Sequence, residues 1–248
     1  MKTNLEICCA SIASALAAQQ GGADRIELCD NLYEGGTTPS AGMIKTVREL
    51  LTIGIHVMIR PRGGDFLYSD EEFKIMKEDI LAAKSLKVDG VVFGILTSEG
   101  EVDMDRCMEL INLARPMKVT FHRAFDVTKD PEQSLENIIA LGFDLLLTSG
   151  QKDTAPEGIG LITELVLQAN NRIRIMPGSG VNENNVIEII KKTGVRDIHM
   201  TLRDEVRSSM QHTREDIHFS GAPPHSDYIQ RIANPRRIQA VKTLISTI

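Results

Sequence analysis

Near the middle of the sequence, Val119-Thr120-Phe121-His122-Arg123-Ala124-Phe125-Asp126 sets an imidazole, a guanidinium and, three residues on, a carboxylate at the end of a short alternating run. These groups can exchange protons and hold an anion, and the alternation marks a strand that delivers them at its tip. His199, Glu27 and Asp30 offer further acid–base groups at the ends of other apolar runs, and Asp126 is near enough in sequence to orient a neighbour. Arg60, Arg62 and Arg123 carry planar guanidinium forks suited to carboxylate or phosphate. Two small-residue turns, Thr148-Ser149-Gly150 and Gly178-Ser179-Gly180, add backbone N–H groups that can cradle an anion, although such turns are also ordinary loop chemistry. Schiff-base chemistry is disfavoured, since Lys118 stands at a strand entrance.

The elements that must position these groups follow one pattern. Strands are expected over 5–9, 25–29, 55–60, 90–93, 119–122, 145–148, 174–177 and 197–200, each followed by a helix. The helices are expected over 11–20, a segment with Pro39 in its first turn, 70–86, 103–114, 131–141, 157–169, a helix opened by residues 178–182, and a closing one begun by Asn234-Pro235. A local unit returns at four strand entrances: Gly22-Ala23-Asp24-Arg25, Lys87-Val88-Asp89-Gly90, Gly142-Phe143-Asp144-Leu145 and Gly194-Val195-Arg196-Asp197. Eight strand–helix units in 248 residues predict an α/β TIM (β/α)8 barrel, a fold of about 250 residues, as a single domain. An open doubly wound sheet is the runner-up. The last connection, 202–234, is long and polar, with Arg203, Arg207, His212, Arg214, His218 and Pro223-Pro224, and reads as a lid or a subunit contact.

Strand parity then sorts the side chains. If Ile7, Ile26, Leu28, Val57, Phe121 and Ile198 face the helices, the barrel interior receives Glu6, Cys8, Glu27, Cys29, His56, Met58, Arg60, His122 and His199. TIM barrels fill this space with branched apolar residues and place their sites at the C-terminal face, so a polar crown there points to function. The bland alternative is an internal ion-pair network in which Glu6 and Glu27 neutralise Arg60 and Arg25. Cys8 and Cys29 fall inward on adjacent strands at similar heights, where two soft thiols can hold a thiophilic ion such as Cu(I); small core residues are the alternative. Cys9 should point to the helices and Cys107 into a helical core stripe.

Composition narrows the partners. A net charge of −6 without a Lys/Arg block argues against nucleic acid or an anionic membrane surface. Residues 1–9 meet a charge and two cysteines before any apolar run long enough for a signal peptide or a span, so a cytoplasmic location is expected. Four cysteines are too few for a disulfide framework in a chain of this length. No organic cofactor is indicated.

With these residues laid out, the chain resembles the CutC family of copper homeostasis proteins over nearly its full length. The matching motifs are Gly21-Gly22-Ala23-Asp24-Arg25-Ile26-Glu27-Leu28-Cys29, Glu34-Gly35-Gly36-Thr37-Thr38-Pro39-Ser40, Met58-Ile59-Arg60-Pro61-Arg62-Gly63-Gly64-Asp65-Phe66, Thr120-Phe121-His122-Arg123-Ala124-Phe125-Asp126 and Leu147-Thr148-Ser149-Gly150. The resemblance implies a TIM barrel that forms a homodimer, a cytoplasmic location and copper handling through thiols, with Cys8 and Cys29 as the Cu(I) ligands. Copper binding gives no reason for Arg60, Arg62, His122, Arg123 and Asp126. The residues therefore also support an enzyme acting on a small anionic substrate, with His122, Glu27, Asp126 and His199 as acid–base groups and Glu6, Arg60, Arg62, Arg123, Ser149, Gly150, Ser179 and Gly180 in the binding site.

Overall fold

A computed structural model describes residues 3–214, 216–217 and 227–248. Eight parallel strands, β1 (Asn4–Cys9), β2 (Arg25–Leu28), β3 (Gly54–Met58), β4 (Gly90–Phe93), β5 (Lys118–Phe121), β6 (Leu145–Thr148), β7 (Arg174–Pro177) and β8 (Asp197–Met200), run in the order β7-β6-β5-β4-β3-β2-β1-β8. β7 and β8 stand side by side and complete the ring by packing. The helices α1 (Ile12–Gln20), α2 (Ala41–Leu50), α3 (Asp70–Ser85), α4 (Met104–Ala114), α5 (Pro131–Leu141), α6 (Ile159–Ala169), α7 (Val186–Thr193) and α8 (Pro235–Ile245) alternate with the strands. This is the TIM barrel that the spacing predicts.

Local chemistry starts and stops the helices as expected. Ser11, Asp103 and Asp130 accept the first free N–H groups of α1, α4 and α5, Pro131 follows Asp130, and Ser69 with Glu72 forms a full capping box on α3. The repeated unit at strand entrances has a physical reason. Gly22, Lys87, Gly142 and Gly194 adopt the left-handed backbone that ends a helix. In the first three of these units the aspartate two residues later caps the start of the preceding strand: Asp24 accepts from Leu5 N, Asp89 from Ile55 N and Asp144 from Val119 N. No described helix is long and apolar enough to cross a membrane.

Parity holds along the strands. The outward residues Ile7, Ile26, Val57, Val91, Phe121, Leu146 and Ile198 join one continuous core with the helices. The apolar interior is split into two small groups, one of Cys8, Cys29, Met58 and Val92, the other of Leu145, Leu147 and Met176. Between them the barrel is filled with buried polar side chains, among them Glu6, Arg25, Glu27, His56, Asp197 and His199.

Four expectations change. Pro39 lies just ahead of α2, whose cap is Ser40, rather than in its first turn. β5 ends at Phe121, and His122 caps a short 3-10 helix, Arg123–Val127. Residues 178–182 do not open a helix, because α7 begins at Val186. Finally, the long last connection carries an antiparallel pair, β9 (Arg203–Arg207) and β10 (Ile229–Ala233), in which Val206 faces Gln230. His218 and Pro223-Pro224 lie outside the described residues.

Candidate functional site

The lowest polar layer of the barrel is an ion-pair chain. Glu6 on β1 stands in register with Arg25 on β2 and His199 on β8. Arg25 donates to Glu6 through Nε and to Asp197 Oδ1 at 2.9 Å, and His199 Nδ1 lies 2.8 Å from Glu6 Oε1. Burial opposes a charge on Glu6, but Arg25 and His199 outweigh it and hold the carboxyl well below the usual range. Glu6 is thus a buried structural anion rather than a group open to a ligand, and its neutralising partner is Arg25 instead of Arg60. His56, facing Glu6 Oε2 at 3.9 Å, is pushed down to about 4, chiefly by burial.

Above this layer sit the thiols and two acid–base groups. Cys8 and Cys29, on neighbouring strand ends, bring their Sγ atoms to 3.3 Å. Their mutual contact and burial push the Cys8 thiol well up; at Cys29 the hydrogen bond with Cys8 pulls down, burial and Glu27 pull up, and the net shift is upward. All four cysteines are free and buried, with Cys9 and Cys107 in the core between strands and helices. Glu27 is only 3% exposed, its Oε1 has no hydrogen-bond partner among the described residues, and burial raises its pKa. His199 sits with Nε2 3.9 Å from Glu27 Oε2; burial opposes its charge, yet Glu27, Cys8 and Glu6 together raise its pKa well above the ordinary value. The donor atoms of Cys8, Glu27 and His199 all fall within 4.8 Å of one another.

His122 lies across the barrel mouth. Its Nδ1 accepts from Ala124 N at 3.3 Å, Nε2 has no partner among the described residues, and burial, helped by Arg60, takes its pKa down to about 3. Gly94 makes this placement possible: a Cβ there would stand 2.7 Å from His122 Nδ1.

The rim differs most from the sequence expectation. Arg60 is buried and clamped by backbone carbonyls, with Nη1 on Glu34 O at 2.6 Å and Gly36 O at 2.8 Å, and Nη2 on Gly64 O at 2.7 Å. Arg62 turns away to Glu72 and to Asp65 at 2.9 Å and lies outside the cavity lining. The Ser149-Gly150 turn does hold an anion, but it is Asp126: Ser149 N donates at 3.0 Å, Gln151 N at 3.2 Å, and the Thr148 hydroxyl also donates. Arg123 Nε completes the clamp at 2.7 Å, so Asp126 orients no acid–base group. Ser179 and Gly180 line the cavity, while the Ser179 hydroxyl is spent on Asp153 O. The residue that sequence reasoning left in the long loop is Arg203, which also lines the cavity and has no ion-pair or hydrogen-bond partner for its guanidinium among the described residues. Its only sequence signal was its place three residues beyond β8.

Cys8, Glu27, Arg60, His122, Arg123, His199 and Arg203 thereby share one cavity of about 470 Å³ at the C-terminal end of the barrel, within the size range of small-molecule sites. Asp30 is exposed in the loop beyond β2 and is absent from this lining.

The family model described as the CutC family matches residues 3–204. A family protein CutC of Bacteroides thetaiotaomicron is 47% identical over 247 residues, covering 98% of this chain and 99% of the relative. The human copper homeostasis protein cutC homolog is 43% identical over 244 residues, covering 98% of this chain and 89% of its own. A crystal structure of CutC from Streptococcus agalactiae superposes with a TM-score of 0.76 at 41% identity, covering 79% of this chain and 97% of that one.

Proposed function

The chain belongs to the CutC family, and from that premise we propose that it serves copper homeostasis by binding Cu(I), its cargo, through Cys8 and Cys29. The observation that carries this reading is the 3.3 Å approach of two buried thiols beside the cavity. Soft thiolates select Cu(I), and metal–thiolate bonds of about 2.3 Å allow one ion to reach both sulfurs. The neutral, raised-pKa thiols must each give up a proton on binding, so the donor set fits while the affinity falls in acid. We place the protein in the cytoplasm, as a homodimer of single-domain chains, and the four free thiols support a reducing compartment. An anaerobic Cu(I) titration against a strong competing chelator tests the copper reading. Wild type should hold one equivalent that Cys8→Ala and Cys29→Ala lose; equal affinity in all three would sink it.

A second reading has its own observation. The cavity is lined by both Arg203 and His122, whose Nε2 has no partner among the described residues, an arrangement with no purpose in binding Cu(I) through two thiols. It supports an enzyme acting on a small anionic substrate, with His122 and Glu27 as the acid–base groups and Arg203, Arg60 and Arg123 facing the charge. Arg62, Glu6 and the turn at Ser149 and Gly150 take no part in this version of the site.

A further inference from the structure

We propose that Cys8, Glu27 and His199 form a site for a divalent ion of the zinc class, with one coordination position open to the cavity. The three residues come from the adjacent strands β2, β1 and β8, so their backbones are fixed by the barrel ladder: Cys8 is in register with Glu27, and Glu6 with His199. Their donor atoms lie within 4.8 Å of one another, and His199 Nε2 is 3.9 Å from Glu27 Oε2. Bonds of about 2.0–2.3 Å at tetrahedral angles put neighbouring donors roughly 3.3–3.7 Å apart, a change that side-chain rotation supplies.

Two independent features point to a ligand there. Glu27 is 97% buried by its 3% exposure, it lines the cavity, and its Oε1 has no hydrogen-bond partner among the described residues, a costly state for a carboxylate that a cation would relieve. His199 is arranged as metal-binding histidines are: Nδ1 is engaged by Glu6 at 2.8 Å, which leaves Nε2 to the cluster. Glu6 is in turn fixed by Arg25, and Arg25 by Asp197 at 2.9 Å, so a buried chain of charges sets the imidazole's orientation.

The donor set also chooses the ion. One thiolate, one imidazole and one carboxylate suit a borderline divalent ion such as Zn2+, whereas Cu(I) is served by the two sulfurs. Three protein ligands with a fourth position facing a cavity is the pattern of catalytic rather than structural zinc, where the ion polarises a substrate oxygen or a bound water. The proposal goes beyond the copper reading and shares only Cys8 with it.

The test uses the full chain, reduced with a phosphine, stripped by chelator and kept anaerobic. Co2+ is followed by its absorption, and Zn2+ by competition with a chromophoric chelator. Wild type should bind one Co2+ with a thiolate-to-cobalt charge-transfer band and the intense d–d bands of a four-coordinate ion. Glu27→Gln and His199→Gln, checked as folded by circular dichroism, should weaken Zn2+ by at least roughly tenfold. Cys29→Ser should keep the divalent site and lose Cu(I), while Glu27→Gln should keep Cu(I). The proposal is overturned by folded wild type without the charge-transfer band, by unchanged Zn2+ affinity in Glu27→Gln, or by a site lost in Cys29→Ser.

Discussion

Burial takes the His122 imidazole down to about 3, with Arg60 adding to the effect, and takes His56 down to about 4, so both are neutral in the folded protein near pH 7. In the unfolded chain each protonates near pH 6.5. Between that value and the folded one the unfolded state binds protons that the native state refuses, and stability falls as pH falls by about 1.4 kcal/mol per pH unit for each group. Glu27 and His199 are shifted upward and act in the opposite sense, but they are common to wild type and a His122 variant. The expected outcome is that His122→Gln loses less stability than wild type in urea titrations from pH 7 to pH 5, the gap closing by up to about 1.4 kcal/mol per pH unit once the pH is below about 6.5. Parallel curves would show that His122 titrates normally. Parity alone had placed this side chain indoors, as it had Cys8, Glu27 and His199, because alternation is a property of each strand. It said nothing of Arg25 meeting Asp197, a contact made across 172 residues once the ring closes.

At the scale of elements, the loops decide what the strand tips can do. Arg60 and Arg62 are two residues apart, yet carbonyls from the loop after β2 capture the first and α3 captures the second through Glu72. Eight strands and their helices were legible because apolar periodicity and caps are local signals; loop-over-loop contacts are not, which is why Arg203 was missed and Arg62 overcounted. The 3-10 helix Arg123–Val127 shows the energetic weight of such contacts. Its Asp126, with a side chain only 7% exposed, ties the loop after β5 to the one after β6 through Ser149 N, Gln151 N and the Thr148 hydroxyl. Asp126→Ala leaves those donors without an acceptor and should cost roughly 2–4 kcal/mol. Arg123→Ala removes a side chain 41% exposed and should cost less than about 1 kcal/mol. Urea denaturation midpoints check both, and a neutral Asp126→Ala would show that the two loops do not depend on each other.

For the whole molecule the net charge is −6, yet the cavity at the C-terminal end of the barrel gathers Arg60, Arg123 and Arg203. The first is held by carbonyl dipoles and meets no carboxylate among the described residues, and the second shares its charge with Asp126. Arg203, at the start of β9, therefore brings a cation to the mouth with no counter-ion among the described residues. Glu27 and Asp126 also line this cleft, but Asp126 is held by Arg123, and an uncompensated guanidinium in a low-dielectric cleft attracts small anions against the sign of the whole protein. Inorganic phosphate at constant ionic strength should accordingly raise the melting temperature of wild type, through preferential binding to the folded state. The shift should shrink with added salt, since the Debye length is already about 10 Å at 0.1 M. Arg203→Ala should abolish it and Arg62→Ala, whose guanidinium points elsewhere, should leave it intact. Thermal denaturation in matched phosphate and chloride buffers decides the matter: a shift that survives Arg203→Ala, or none in wild type, removes the anionic-substrate reading and leaves the cavity to metal ions alone.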